Sequence, residues 1–254
     1  MRLQPKGFIA ALTYLTVCRV PARWRLPGVS EAAPFYPLVG LCIGAALAAA
    51  GWVLERLLRS PIVVDVLLLT LWVGITGGLH MDGLADTFDG LGGGRTRERA
   101  LEIMRDSRIG AFGAASIVMV LALKGACLVE LGPDVRWRAL LVAPTLGRLA
   151  PLLLARLAPA ARSDGEGHGF VAAVRWSGVA LALTTALVVS CTTLREASLP
   201  VLAVAACQLL VLTAVFRVRI DGVTGDTLGA SVELVEAATL VAIAALSGHG
   251  WFSR

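Results

Sequence analysis

The stretch GGLHMDGLADTFDGLGGGRTRERA, residues 77–100, places three carboxylates, Asp82, Asp86 and Asp89, at the edge of a long apolar run. If the helix of that run continues past His80, about 100° of rotation per residue sets them at 0°, about 40° and about −20° around its axis. They then share one face. No Lys or Arg occurs between Arg59 and Arg95, so none of the three has a cation one turn away. At a helix C-terminus each carboxylate opposes the macrodipole by roughly 0.3–1 kcal/mol, and mutual repulsion adds to that cost. A hard cation would remove it: oxygen ligands suit Mg²⁺ or Mn²⁺, and phosphate-handling sites commonly use one or two carboxylates per ion. A solvated acidic helix end is the plainer alternative, and a proton or ion path the other. Three acids in register, with Gly83 and Gly90 leaving room for close approach, favour the metal.

The residues that follow supply positive charge. Gly92, Gly93 and Gly94 are expected to expose backbone N–H groups, and Arg95, Arg97, Arg99, Arg105 and Arg108 come next, the last two flanking Asp106 and Ser107. Acid-bound metal beside arginines can hold a pyrophosphate and stabilise charge on a transferring phosphoryl group. The glycine run matches no phosphate-loop pattern, and topology or anionic lipid would also explain the arginines, Arg97 and Arg99 most readily.

A second polar group stands in RIDGVTGDTLGASVELVEAATL. Asp226 and Glu233 are seven apart and lie on one helix face, with Glu233 about two turns into an apolar run. Thr224 or Asp226 can cap that helix. A cap does not explain Glu233 or Glu236, which in lipid need a cavity, a cation or a partner. Arg148 is the natural in-membrane counter-charge or a phosphate ligand, and Lys124 another counter-charge or a snorkelling side chain. His80 reads as a satisfied helix-end histidine before a base or a ligand. The segment PAARSDGEGHGF, 159–170, reads as flexible, with no partner in sequence for His168.

These residues need a membrane scaffold. The chain of 254 residues is 57% hydrophobic and 16% charged, with a mean hydropathy of +0.77, which marks an integral membrane protein. No soluble mature portion follows the N-terminal segment, so that segment is expected to be retained rather than cleaved. Cys18, Cys42, Cys127, Cys191 and Cys207 stand singly in or beside apolar runs, as small hydrophobes rather than ligands. The net charge of +5 reports topology and gives no support to nucleic-acid binding.

Apolar runs of about 20 residues, enough to cross a bilayer as a helix, fall near 35–54, 62–81, 110–130, 139–157, 177–194, 199–216 and 228–247. The expected fold is an all-α polytopic bundle of about seven transmembrane helices, with a short N-terminal interfacial or re-entrant helix. Alternating sides from a cytoplasmic N-terminus puts 15 Lys and Arg residues inside and six outside, Arg2 and Arg254 among those counted. This obeys the positive-inside rule and turns the loops near 82–109, 158–176 and 217–227 toward the cytoplasm. No repeat or linker divides the chain, so 1–254 reads as one domain.

The blocks GGLHMDGLADTFDG, RERALEIMRDSRIGAFG and VTGDTLGASVELVE closely resemble signature segments of the cobalamin synthase family, the adenosylcobinamide-GDP ribazoletransferases. GRLAPLLLARLAPAARSDGEGHGF is similar in layout to another, with Ala160 where that family often carries Tyr. The resemblance covers about residues 5 to 245. It implies a multi-pass enzyme of the bacterial inner membrane that joins adenosylcobinamide-GDP to α-ribazole, or its 5′-phosphate, in a Mg²⁺-dependent reaction releasing GMP. On that reading Asp82, Asp86, Asp89 and Asp226, with Glu233, hold the metal, and Asp89 or Glu233 takes the hydroxyl proton. Arg105, Arg108 and Arg95, with Asp106, Ser107, Thr224 and more weakly Arg148, then bind substrate. A homo-oligomer or a complex with other cobalamin-assembly enzymes is compatible with it. Two rivals remain: a transporter using intramembrane carboxylates, and an enzyme like the CDP-alcohol phosphotransferases, whose post-DG Arg and long acid spacing are missing here.

Overall fold

The computed structural model describes residues 5–21 and 23–252; Arg2 and Arg254 lie outside them. Twelve α-helices follow in order among the described residues: α1 Pro5–Leu15, α2 Val29–Ala32, α3 Tyr36–Leu57, α4 Pro61–Thr76, α5 Leu79–Gly93, α6 Arg97–Ile103, α7 Ala111–Glu130, α8 Pro133–Leu157, α9 Gly165–Ala173, α10 Trp176–Leu194, α11 Ser198–Ile220 and α12 Gly225–Gly248. Proline opens α4 and α8 at a position where its missing N–H costs nothing.

Five helical runs are long and apolar enough to cross a bilayer, and the bent pair α4 and α5 makes a sixth. One of the five, Trp176–Ile220, has 45 residues, which as a straight helix would extend about 67 Å. Both its ends nevertheless lie beside the end of α8. The Arg156 guanidinium sits 5.4 Å from the Trp176 ring. At the other end Arg97 donates to the Ile220 carbonyl at 3.3 Å and to the Ala161 carbonyl at 2.7 Å. The run therefore reverses, at Arg195, which takes φ 54° and opens a 3₁₀ turn. With α10 and α11 counted as separate passes, α3, α4, α7, α8, α10, α11 and α12 cross, matching the sequence expectation. Helix α1, with 11 residues, is too short to span.

Helix α8 runs through the middle, walled by α3, α10 and α12, and with α12 is the most buried of the spans. On the opposite end from the site, Arg136 ties the spans together through Glu55 at 2.8 Å and Asp65 at 3.5 Å.

The second span does not continue past His80 as the sequence register assumed. It stops at Thr76, because Gly77 and Gly78 both take left-handed conformations, φ 62° and 74°, which side chains rarely adopt. The chain turns by 90° and α5 runs along one face of the bundle instead of across it. It lies over the N-terminal ends of α7 and α12: Asp89 meets Gly110 and Gly113, and Gly83 meets Asp226. Asp82 is thus in the first turn of a helix, where the dipole favours an anion, not in the last turn of a span.

Candidate active site

The face capped by α5 holds two cavities with one shared residue pair, Leu79 and Asp82. The first, about 330 Å³, lies between α1, α5, α9 and the start of α12, and its polar lining includes His80, Arg162, Glu166, His168 and Asp226. The second, about 500 Å³, is lined by the Gly77–Gly78 bend, Ala85, Asp86, Ser107, Ile109 and Ile117.

Asp82 is exposed, and Asp86 and Asp226 are half-buried. Gly83 makes this approach possible. A Cβ there would stand 2.8 Å from the Asp226 carbonyl oxygen, so any side chain would push α5 off α12. Thr224 caps α12 by accepting from the Thr227 N–H at 3.2 Å, and the Thr227 hydroxyl accepts from the Thr224 N–H at 2.8 Å. With the cap made by threonines, the Asp226 carboxylate is free to face Asp82, receiving only the Thr224 hydroxyl at 3.2 Å and Arg162 at 3.8 Å. The Asp86 carboxyl is raised to about 6, first by its burial and then by the charges of Asp82, Asp226 and Asp89, against which Arg162 acts. Unpaired negative charge has therefore been gathered here at a cost.

The arrangement fits a divalent cation in a particular way. Among the described residues no three acidic, His or Cys side chains converge tightly enough to enclose an ion by themselves. Mg²⁺ does not require that: it keeps several waters and is held by one or two carboxylates together with substrate phosphates. Asp82, Asp86 and Asp226 suit that role.

Asp89 belongs to a different job. Its carboxylate accepts from Gly110 N–H at 2.6 Å and Gly113 N–H at 2.8 Å, so it satisfies the first amides of α7. Glu233 is also elsewhere. It is 3% exposed and paired with Lys124 at 2.5 Å, while Lys124 also bonds Glu236, which pairs with Arg148. The two carboxylates expected to take a proton, Asp89 and Glu233, are thus both engaged by partners and line neither cavity. Arg148, 0% exposed, is the intramembrane counter-charge and not a wall of the site.

The glycine run is not an anion-binding loop. Gly92 and Gly93 complete α5, and the carbonyls of Leu91 and Gly94 accept from Arg219 at 2.7 and 3.1 Å. Arg97 joins α6 to the end of α11 and to Asp221, at 3.1 Å, and Arg99 pairs with Glu102 at 2.7 Å. Arg95 is exposed. Arg105 holds Asp164 at 2.8 Å on the rim of the first cavity. Arg108 binds Asp106 at 2.6 Å, and its hydrogen bonds hold that carboxyl down to about 2. Ser107 lies between them on the wall of the second cavity.

The sequence reading took 159–170 as flexible, although its second half opens α9. It is tied down, not loose: Ala161 N–H donates to Val223 at 2.8 Å, Val223 N–H to Pro159 at 2.9 Å, and Arg162 to Leu101 at 2.7 Å. Alternation was the available signal, since Arg162, Asp164, Glu166 and His168 are separated by single residues. His80 also differs from expectation: it is 3% exposed and its Nδ1 has no hydrogen-bond partner.

The chain matches the profile of the family described as cobalamin-5-phosphate synthase over residues 7–244. It belongs to that family. An adenosylcobinamide-GDP ribazoletransferase of Roseiflexus sp. (strain RS-1) is 40% identical over 238 residues, 92% of this chain and 87% of the relative. One from Leptothrix cholodnii is 39% identical over 91% of this chain and 92% of the relative, and one from Stutzerimonas stutzeri 39% over 95% and 98%. No solved structure is similar to it. As a cobalamin synthase family member the chain is a transferase of cobalamin biosynthesis, built on the multi-pass helical fold described above.

Proposed function

We propose that the chain transfers the adenosylcobinamide-phosphate group of adenosylcobinamide-GDP to α-ribazole or its 5′-phosphate, with Mg²⁺ and at the cytoplasmic face of a bacterial inner membrane. The observation that carries this reading is Asp82, standing on the wall common to two cavities with Asp226 in one and Asp86 in the other. A transferase that joins two substrates needs two adjoining subsites with its charge-stabilising groups between them. The relatives' names supply the pair: a GDP-activated cobinamide and a ribazole. The cytoplasmic placement rests on the excess of Lys and Arg in the loops of this face.

In this reading a ribose hydroxyl of the acceptor attacks the phosphorus that carries the cobinamide, the P–O bond to the outer phosphate breaks, and GMP leaves. The proton of the attacking hydroxyl passes to a carboxylate of the cluster. Asp82, Asp86 and Asp226 would hold Mg²⁺, which when bound supplies charge neutralisation for the pyrophosphate. Arg105 and Arg162, whose carboxylate partners Asp164 and Asp226 are partly exposed, turn to the phosphates, and Arg108 adds charge beside the second cavity.

Purified protein with Mg²⁺ should release GMP from adenosylcobinamide-GDP only when α-ribazole or its phosphate is present. Uptake of either substrate into proteoliposomes without chemical change would instead establish a transporter. GMP release that is equal without divalent ions would remove the metal from the reading.

A further inference from the structure

The two cavities differ in chemistry, and the difference assigns them. The first is lined at one end by aromatic side chains from three separate elements. Tyr14 of α1 stacks on Tyr36 of α3 with ring centres 6.2 Å apart and planes 16° apart, and Tyr36 meets Phe170 of α9 at 5.9 Å. Leu15, Pro151, Leu228 and Val232 complete a carbon-rich wall. His80 adds a polar group there, its Nδ1 buried and unpartnered. The second cavity is more open and has no aromatic side chain on its wall, where the glycine bend, Asp82, Asp86 and Ser107 stand beside Leu79, Ala85, Ile109 and Ile117.

We infer that the first cavity is the subsite for the flat bicyclic base of the ribazole acceptor, seated against Tyr14, Tyr36 and Phe170. This rests on the proposed transfer to ribazole. The base of α-ribazole, a dimethylbenzimidazole, is apolar around most of its edge, with one ring nitrogen able to accept a hydrogen bond, and His80 is one of the groups on the wall that can donate it. Guanine, the other base in the reaction, carries donors and acceptors along nearly its whole edge. Each one buried against Leu15, Pro151 and Val232 without a partner would cost more than the stacking returns. With its base in this cavity, the acceptor's ribose is directed toward Asp82 and Asp226, which line the same space. The cobinamide-phosphate then approaches from the second, more open cavity, across Asp82.

The test compares acceptor and donor on the full-length protein in detergent. Binding of radiolabelled α-ribazole in the absence of donor is measured by equilibrium dialysis, and KM values for both substrates by GMP release. Phe170→Ala should raise Kd and KM for α-ribazole about tenfold, and Phe170→Leu less, because it restores apolar volume without a ring. Val232→Phe, which fills the cavity from the other side, should raise them further. KM for adenosylcobinamide-GDP should stay within about twofold in all three. A rise confined to the donor would assign the cavity to guanine, and no change in either would overturn the inference. The failure of the transfer reading itself would show differently, as wild-type protein that releases no GMP.

Discussion

Asp226 and Glu233 lie seven residues apart on α12, about 10 Å along one helix, and they live under opposite electrostatic rules. Glu233 and Glu236 are buried among the spans with Lys124 and Arg148, two anions against two cations, so that charge removed from water is paid back by direct partners. Asp226, with Asp82 and Asp86, stands at the bundle's face with Arg162 as its nearest cation. The first group is paired charge against charge and lines neither cavity. The second is open, and on the proposed function its unmet charge would receive a cation and a phosphate. A carboxylate's depth and partners, more than its presence in a motif, separate scaffold from site.

The sharpest way to break this contrast is to remove one member of each group. Asp82→Ala should lower the rate of GMP release by about 10³-fold or more with an unchanged melting temperature, since the side chain is exposed; normal turnover would remove Asp82 from the site. Lys124→Met should do the reverse, costing about 3–5 kcal/mol of stability because Glu233 and Glu236 lose their shared partner. Thermal unfolding in detergent reads this, and Lys124→Met combined with Glu233→Leu should recover part of the loss. If the single change leaves stability intact, the quartet is not structural.

Asp89→Asn tests the boundary between the two groups, and a smaller effect is expected, about 1–3 kcal/mol for weakening the charge-assisted bonds to Gly110 and Gly113. Hydrogen exchange should quicken at the start of α7 before it does elsewhere. A loss of metal affinity with undisturbed exchange would return Asp89 to the site.

The smallest effect is on pH dependence. The Asp86 carboxyl sits at about 6, against about 4 in an unfolded chain. The folded state therefore holds that proton more tightly, and the stability it contributes is full below pH about 4 and lost as pH rises through about 6. In EDTA the melting temperature should fall over that window, and Asp86→Asn should flatten the slope. Added Mg²⁺ should restore stability on the alkaline side, where the carboxylate is ionised.

Much of this was legible in the chain. Apolar runs of spanning length fell on each of the long helices, though α4 ends at Thr76 short of its run and α8 begins at Pro133 ahead of its own, because a backbone in lipid must satisfy its hydrogen bonds internally and helices are the way to do so. Asp82 and Asp86 could be picked out, along with Asp89, by their lack of nearby cations, and Asp226 by its helix face shared with Glu233. The bend at Gly77–Gly78 was harder to read, since glycines are also common inside membrane helices, and only their left-handed conformation shows that the chain stops there.

What the sequence determined by itself was periodicity and the shortage of local counter-charge around Asp82, Asp86 and Asp89, both of which depend on near neighbours along the chain. What only the tertiary structure decided was which charges meet. Lys124 reaches Glu233 across 109 residues, Asp89 reaches Gly113 across 24, and Asp82 shares its cavity wall with a helix that begins at Gly225. Helical register fixes the face on which a side chain leaves its own helix; the partner on that face is set by packing, and packing turned one of three aligned aspartates into a helix cap and left two on a cavity wall.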